Sequence, residues 1–578
     1  MKHNITLALA LTVALAAQAQ NLSTEVKVDR TVVPAERPAE RLGSVHPGIV
    51  SVPVSARRLD IAEYGGDGTI TRSARLLAPA AWGDTFDISR YRGYVSAGYF
   101  PAYNAAVSAG YRIIQNATTR LGVWAQFDGY SFKRELPHLL KDRFSNNTFA
   151  IGVDFDHRVR NTGVLNLKFA TNYGCLEAPT GYSAGKHDIG MTDLSAAWWA
   201  RAGRVGYHVG ASFHRFGFDE DKNNDLLWDG PAPSRILHTD GAEILFGAAA
   251  GLTFRTGNDR GRAGLEVKAD FLSRPDASTL AATDADNPGH LDVVSAEGST
   301  LGVVSLTPYY AFGRGRGVDL RLGARVDIST GGTGKKFHIA PDVTLTYSAD
   351  AATVYVRATG GEVLNTQRSL YAYTPFFPVG WQYERSHMPL NVEGGFNLGP
   401  WSGFSAEVFG GWARANDWLM PTLTAVGTGT ELTVMRPVDL KGAHAGLRLS
   451  YAWRSMVDVR ASVEMAPQKE GSGYYLWRDR AKLVVKADAT VRPIKALELT
   501  AGYEFRQSRA AYAYAPDGTA SLLSLGCKSD LTFGARYDIT PAISVFTRGE
   551  NLLGRKCLAL PGVPEQGIHG LVGASFKF

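Results

Sequence analysis

Leu497-Glu498-Leu499-Thr500-Ala501-Gly502-Tyr503-Glu504-Phe505-Arg506 sets the reading of the whole chain. Its odd positions are Leu, Leu, Ala, Tyr and Phe; its even positions are Glu, Thr, Gly, Glu and Arg. Successive side chains of an extended strand point to opposite faces, so this segment has one apolar face and one charged face. The pattern recurs at 320–328, with Arg321, Gly323, Arg325 and Asp327 on the polar face, and at 265–271, with Glu266, Lys268 and Asp270 interleaved. Segments 447–454 and 531–538 repeat it again. A two-sheet sandwich alternates too. Here, however, the chain has capacity for about twenty such strands, and the apolar positions are often small or aromatic, where a soluble core favours Ile, Val and Leu.

Composition points the same way. Of 578 residues, 20% are charged, 11% are aromatic, 63 are Gly and 24 are Tyr; soluble domains carry about 25% charge and roughly 7% Gly. Mean hydropathy is −0.12, and no mature stretch offers the roughly 18 apolar residues of a spanning helix. Helical membrane proteins and whole-chain disorder are excluded. The remaining class is a large all-β chain with its hydrophobicity spread thinly, as in a transmembrane β-barrel.

Connection lengths define the architecture. From about Tyr94 to Phe578 we read about 22 strands. Short connections, including 115–119, 160–163, 201–204, 313–317, 454–457 and 540–542, alternate with long ones at 175–187, 218–237, 275–298, 361–388, 417–433, 506–521 and 555–567. Outer-membrane barrels turn tightly on the periplasmic side and carry long loops outside. The expected fold is therefore all-β, a transmembrane antiparallel β-barrel with short periplasmic turns, long extracellular loops and both termini periplasmic. The first connection, 100–104, is short where a long outer loop is expected. The inward charges Arg321, Arg325, Glu498, Glu504, Arg506 and Arg536 suit a polar lumen or a buried network of ion pairs.

Lys2 and His3 precede an apolar run from Ile5 to Ala17, and Ala17-Gln18-Ala19 supplies a small-x-small cleavage site. Residues 1–19 thus read as a secretory signal peptide. Residues 20–93 follow as a periplasmic or lumen-threading segment, either a reduced plug or a linker, and 94–578 as the barrel. The three cysteines give an odd count in a compartment that permits disulfides. Cys175 and Cys557, expected in loops on the same side, could bridge; three unpaired thiols are the simpler expectation, with Cys527 in a strand.

The end of the chain carries a more specific signal. Glu550-Asn551-Leu552-Leu553-Gly554, then Pro561-Gly562-Val563-Pro564, then a closing strand ending Ser575-Phe576-Lys577-Phe578 resembles the last hairpin of TonB-dependent receptors. Phe576 and Phe578 are expected on the lipid face, with Ser575 and Lys577 facing inward. The resemblance implies a barrel of about 22 strands with a filled lumen, in the outer membrane of a Gram-negative cell, engaged in uptake. It also implies an N-terminal plug and a motif that couples to TonB. Segment 20–93 is shorter than such a plug, no coupling motif is legible at 21–30, and Ile568 and His569 follow Gly567 where the family usually places Arg. Coupling to TonB is therefore in doubt. The lumen must be filled by the N-terminal segment, by inward-folded outer loops or by a partner chain.

Two stretches carry candidate sites. Asp219, Asp221, Asn223 and Asp225 place oxygen ligands at alternate positions, the opening rhythm of a calcium loop. Asn224 stands where the turn Gly belongs and no Glu closes the loop, so a solvated acidic loop is the plainer reading. Tyr371, Tyr373, Phe376, Phe377, Trp381 and Tyr383 concentrate rigid aromatic area, either as a ligand- or partner-binding loop or as packing against neighbouring loops. Gly313-Arg314-Gly315-Arg316-Gly317 lacks the helix a phosphate loop needs. The 13 His are scattered, with no catalytic motif, and a net charge of +6 without a basic run gives no footing for nucleic acid.

The expectation is a barrel that passes or gates a solute. The alternative is a non-transporting scaffold or accessory subunit of a larger outer-membrane complex, its lumen blocked. Neither is an enzyme. The expected partners are outer-membrane lipids, with a surface lipoprotein or other envelope proteins as further candidates; apart from the candidate calcium, no cofactor is expected.

Overall fold

Alternation along each strand, repeated around a ring, builds the molecule. The computed structural model describes residues 91–578 except 102, 134–142, 160–162, 178–185, 221–239, 257–259, 283–290, 314–316, 374, 377–380, 427–429, 467–480 and 516–518; the expected signal peptide and nearly all of segment 20–93 lie outside the described residues. Twenty-two strands form one sheet. It begins with Gly93–Phe100 and ends with His569–Lys577. These two pair with each other, from Tyr94↔Lys577 to Tyr99↔Val572. The sheet therefore closes into a barrel, which leaves no edge strand unpaired.

Apolar side chains point outward all around the ring, as lipid requires. Tyr503, Leu322, Phe533, Val408, Phe246, Phe576 and Phe578 are all exposed, whereas Ser575 is buried. The opposite faces carry the charges. Each inward charge read from the sequence has a partner: Arg321 lies 2.8 Å from Asp342, Arg325 2.8 Å from Asp327, Glu498 2.7 Å from Arg492, Glu504 2.8 Å from Arg506, and Arg536 3.0 Å from Asp538. Arg321 also stacks 3.6 Å over the Tyr309 ring.

One end of the barrel turns tightly, as expected. Strand pairs such as Lys186–Ala202 with Val205–Glu220, Ser299–Phe312 with Gly317–Thr330, and Ala520–Asp538 with Ile543–Glu550 follow each other closely. The other end holds more structure than the word loop suggests. Segment 275–298 contains a hairpin of Ala277–Ala282 and Leu291–Ala296, segment 361–388 contains a helix at Gln367–Tyr373, and segment 555–567 contains a small pair, Leu558–Leu560 with Val563–Pro564.

The segment 417–433 departs from expectation because it is mostly strand. Phe404–Val426 and Thr430–Trp453 stay paired to Val426↔Thr430. A register shift between Ala415 and Trp418, with Asp417 at φ 52°, inserts a bulge, and bulges bend the strand that carries them. Beyond it, Thr422–Thr424 pair in parallel with Tyr512–Tyr514 of Leu497–Tyr514, passing over two shorter strands, Val457–Met465 and Leu483–Ile494. Cys175 also departs from expectation: it lies inside the strand Gly163–Glu177. The three cysteines remain thiols.

Candidate functional site

Along the ring, Arg143–Val159 is the fourth strand and Phe404–Val426 the fifteenth, half a circumference apart. Yet Phe144 of the first and Leu419 of the second belong to one hydrophobic cluster with Leu176, Ile189, Phe216, Phe218, Leu370, Phe376, Met435, Leu560 and Val563. Only chain crossing the mouth can bring them together. Three elements do so: the segment after Leu364, the bent hairpin beyond Asp417, and the segment before His569.

The first of these is clamped at its neck. Glu362 and Arg385 form a 2.6 Å ion pair with side chains 2% and 4% exposed. Arg385 also donates to the carbonyls of Thr330 and Gly331, at 3.1 and 2.8 Å. The Glu362 amide donates to Asp327 at 2.7 Å, and Arg325 donates to the Glu362 carbonyl at 2.9 Å. Gly361 makes this geometry accessible: at φ 137° a Cβ would lie 2.5 Å from the Arg325 guanidinium carbon. His338 and His387 stack beside this network, ring centroids 3.9 Å apart.

Within the neck, Thr366 and Ser369 cap the helix Gln367–Tyr373 reciprocally, with each backbone amide donating to the other's hydroxyl at 3.1 and 3.0 Å, which satisfies otherwise orphaned donors. The Gln367 amide donates to Glu243 at 2.9 Å. Arg368 pairs with Asp193, whose carboxylate lies 2.6 Å from His214 Nδ1. The next residue, Leu194, is 51% exposed on the outer face, so the helix is tied to the inner wall at the depth of the lipid-facing band. Tyr371 packs on Phe216 at 5.8 Å, and burial pushes its hydroxyl up to about 12. Phe376 meets Phe144 edge-on at 5.4 Å. Arg274 donates to the Tyr383 carbonyl at 2.5 Å.

The other two crossings lock onto the first. The Met435 amide donates to the Tyr383 hydroxyl at 3.1 Å, and Thr433 donates to the Pro561 carbonyl at 2.8 Å. Arg509 donates to the Ala559 carbonyl at 2.9 Å. Cys557 is buried there, and desolvation, with Glu565 adding to it, pushes its thiol up to about 12.

The aromatic segment singled out from the sequence therefore lies within this crossing. Phe376 and Trp381 are buried, while Tyr371, Tyr373 and Tyr383 pack around the cluster; Phe377 lies outside the described residues. Of the acidic residues, Asp219 stands near the end of Val205–Glu220, and Asp221, Asn223 and Asp225 lie outside the described residues. Among the described residues, no group of three His, Cys, Asp or Glu is placed to hold a metal. Sequence reading missed Glu243, Arg368, Asp193, Glu362 and Arg385. The one available signal was Thr366-Gln367-Arg368-Ser369, a capping pattern ahead of an apolar stretch.

Chemically, the mouth offers a dry aromatic side and a side of paired charges, both built from loop as well as wall. A similar fold occurs in solved structures. A doubly substituted ferric enterobactin receptor of Pseudomonas aeruginosa superposes with a TM-score of 0.62 at 12% identity, over 85% of this chain and 81% of that one. The fold is that of the TonB-dependent receptor barrels. The siderophore receptor PirA of Acinetobacter baumannii gives 0.60 at 10% identity, over 84% and 80% of the two chains. The ferripyoverdine receptor of the P. aeruginosa outer membrane gives 0.60 at 13%, over 85% and 72%. No protein-family profile and no curated protein matches the sequence. Each of these three structures is named as a receptor, and the architecture is that of a multi-pass outer-membrane barrel.

Proposed function

We propose that this barrel takes up a solute through its lumen and that the crossing segments are both the receiving surface and the gate. One observation carries the reading. The helix Gln367–Tyr373 is held inside the wall by side-chain bonds, Gln367 to Glu243 and Arg368 to Asp193, and not by a strand ladder. Such bonds break and re-form singly, whereas a ladder opens cooperatively. The neighbours named for ferric enterobactin and ferripyoverdine support an organic metal chelate as the solute class. Tyr371, Tyr373 and Tyr383 are the proposed contacts, because aromatic faces with polar tips suit such a solute.

A second reading, a scaffold subunit with a blocked lumen, is favoured by the buried cluster that joins opposite walls. Planar-bilayer conductance of the full chain separates the two. Under the uptake reading, conductance rises when Arg368 is replaced by Ala, and a chelate added on the loop side suppresses it. Silence in both proteins, with stable co-purification of other envelope proteins, supports the scaffold.

A further inference from the structure

On the outer wall, towards the short turns, the first five strands enclose a groove of about 460 Å³. Register builds its floor: Val95 lies beside Ala109, Ala109 beside Ala125, and Ala125 beside Ile151. Two alanines between larger neighbours leave the depression. One side is Tyr111 and Phe578, whose rings stack at 6.2 Å; the other is Ile151 and Phe169, each 39% exposed. Phe578 reaches this position because Gly93 lacks a side chain: a Cβ there would lie 2.4 Å from the ring.

These side chains face away from the lumen, into the hydrocarbon. Strands lie about 4.8 Å apart, so a trough from Val95 to Phe169 runs roughly 19 Å across the wall. One leaflet of a core about 30 Å thick is roughly 15 Å deep. The trough is apolar, continuous with the lipid-facing surface, and long enough for one leaflet's chain. Its position beside Gly93 and Phe578 puts it on the periplasmic side.

We propose that this groove seats one acyl chain of a periplasmic-leaflet phospholipid, laid across the first five strands beside the C-terminal Phe578. The seam between the first and last strands holds six register pairs, against fifteen between Thr119–Lys133 and Arg143–Val159. A chain held against Val95 and Phe578 packs the residue that follows the last strand onto the first two strands, and so braces the seam from that side. The proposal requires the barrel to sit in a bilayer and is independent of solute passage.

The test is native mass spectrometry of the full chain in mild detergent, titrated with palmitoyl-oleoyl phosphatidylethanolamine. One lipid is expected to be retained saturably by the wild type. Filling the groove with Ala109→Phe, or more gently with Ala125→Leu, should weaken retention at least tenfold while heat-modifiable migration on gels is kept. Ala250→Phe should leave retention unchanged, since Ala250 lies beside outward-facing Val209 on another part of the wall. Added phospholipid should raise the thermal midpoint of the wild type and not that of Ala125→Leu. Equal retention by wild type and Ala125→Leu, equal loss in the Ala250 variant, or displacement by an equal concentration of lipid A would each overturn the proposal.

Discussion

The wall and the mouth of this barrel use the same kinds of residue in opposite ways. In the wall, partners are near neighbours: Arg506 and Glu504 are two residues apart, and Lys486 and Lys528 approach the same Glu504 from the adjacent strands at 3.6 and 3.3 Å. In the mouth, partners lie far apart in the chain, as with Gln367 and Glu243, Arg274 and Tyr383, and Thr433 and Pro561. Wall contacts are redundant, because three cations share one carboxylate. Mouth contacts join segments that no strand ladder connects, and the Glu362–Arg385 pair at the neck is buried. Loss of a wall partner should therefore be absorbed locally, while loss of a mouth partner should release a whole segment.

The sharpest contrast is chemical. Cys527 in the wall is exposed, whereas Cys557 in the mouth is buried with its thiol pushed up to about 12; N-ethylmaleimide at pH 8 should label Cys527 fully and leave Cys557 unlabelled, as peptide mass mapping would report. Next comes Glu362→Ala, which strands Arg385 without its carboxylate at 4% exposure. Such a loss costs about 4 kcal/mol, and hydrogen exchange should show the amides of the helix Gln367–Tyr373 deprotected while the barrel strands stay protected. Phe376→Ala should cost about 3 kcal/mol through the cavity left against Phe144, with the same segment becoming protease-sensitive. Arg368→Ala, at a pair 40% and 30% exposed, should cost about 1 kcal/mol after screening by solvent, seen as faster exchange in the helix alone. At the bottom, Arg460→Ala removes a wall pair 72% and 40% exposed and should move the unfolding midpoint by less than about 0.5 kcal/mol. If the Glu362 and Arg460 variants behave alike, the distinction between the two regions fails.

That distinction also marks what could be read from the sequence. The wall was legible because a period of two is local: Glu498, Glu504 and Arg506 announce their face within ten residues, and turns such as 201–204 punctuate each strand. Closure was legible through Phe576 and Phe578. The mouth was not, because Arg368 says nothing of Asp193 until seven strands of the ring have been wound between them. The aromatic run at 371–383 was visible as a concentration of rings, but its packing depends on Phe144, Phe216 and Met435, which come from three distant strands. The extended hairpin beyond Asp417 reads as loop in the sequence because its strand passes through a bulge at Asn416 and Asp417 and then carries Pro421, residues that local propensity assigns elsewhere.

The ring closes through contacts between Tyr94 and Lys577, residues at nearly opposite ends of the described chain. Pairings of such long sequence separation are the slowest to form, because the intervening chain must be ordered before they are rewarded. Until that last meeting, both terminal strands present bare backbone donors and acceptors, and in hydrocarbon each of these is costly. Assembly of this protein thus has an obligatory final step, and an arrested intermediate would be an open, sticky curl that captures any strand offered to it.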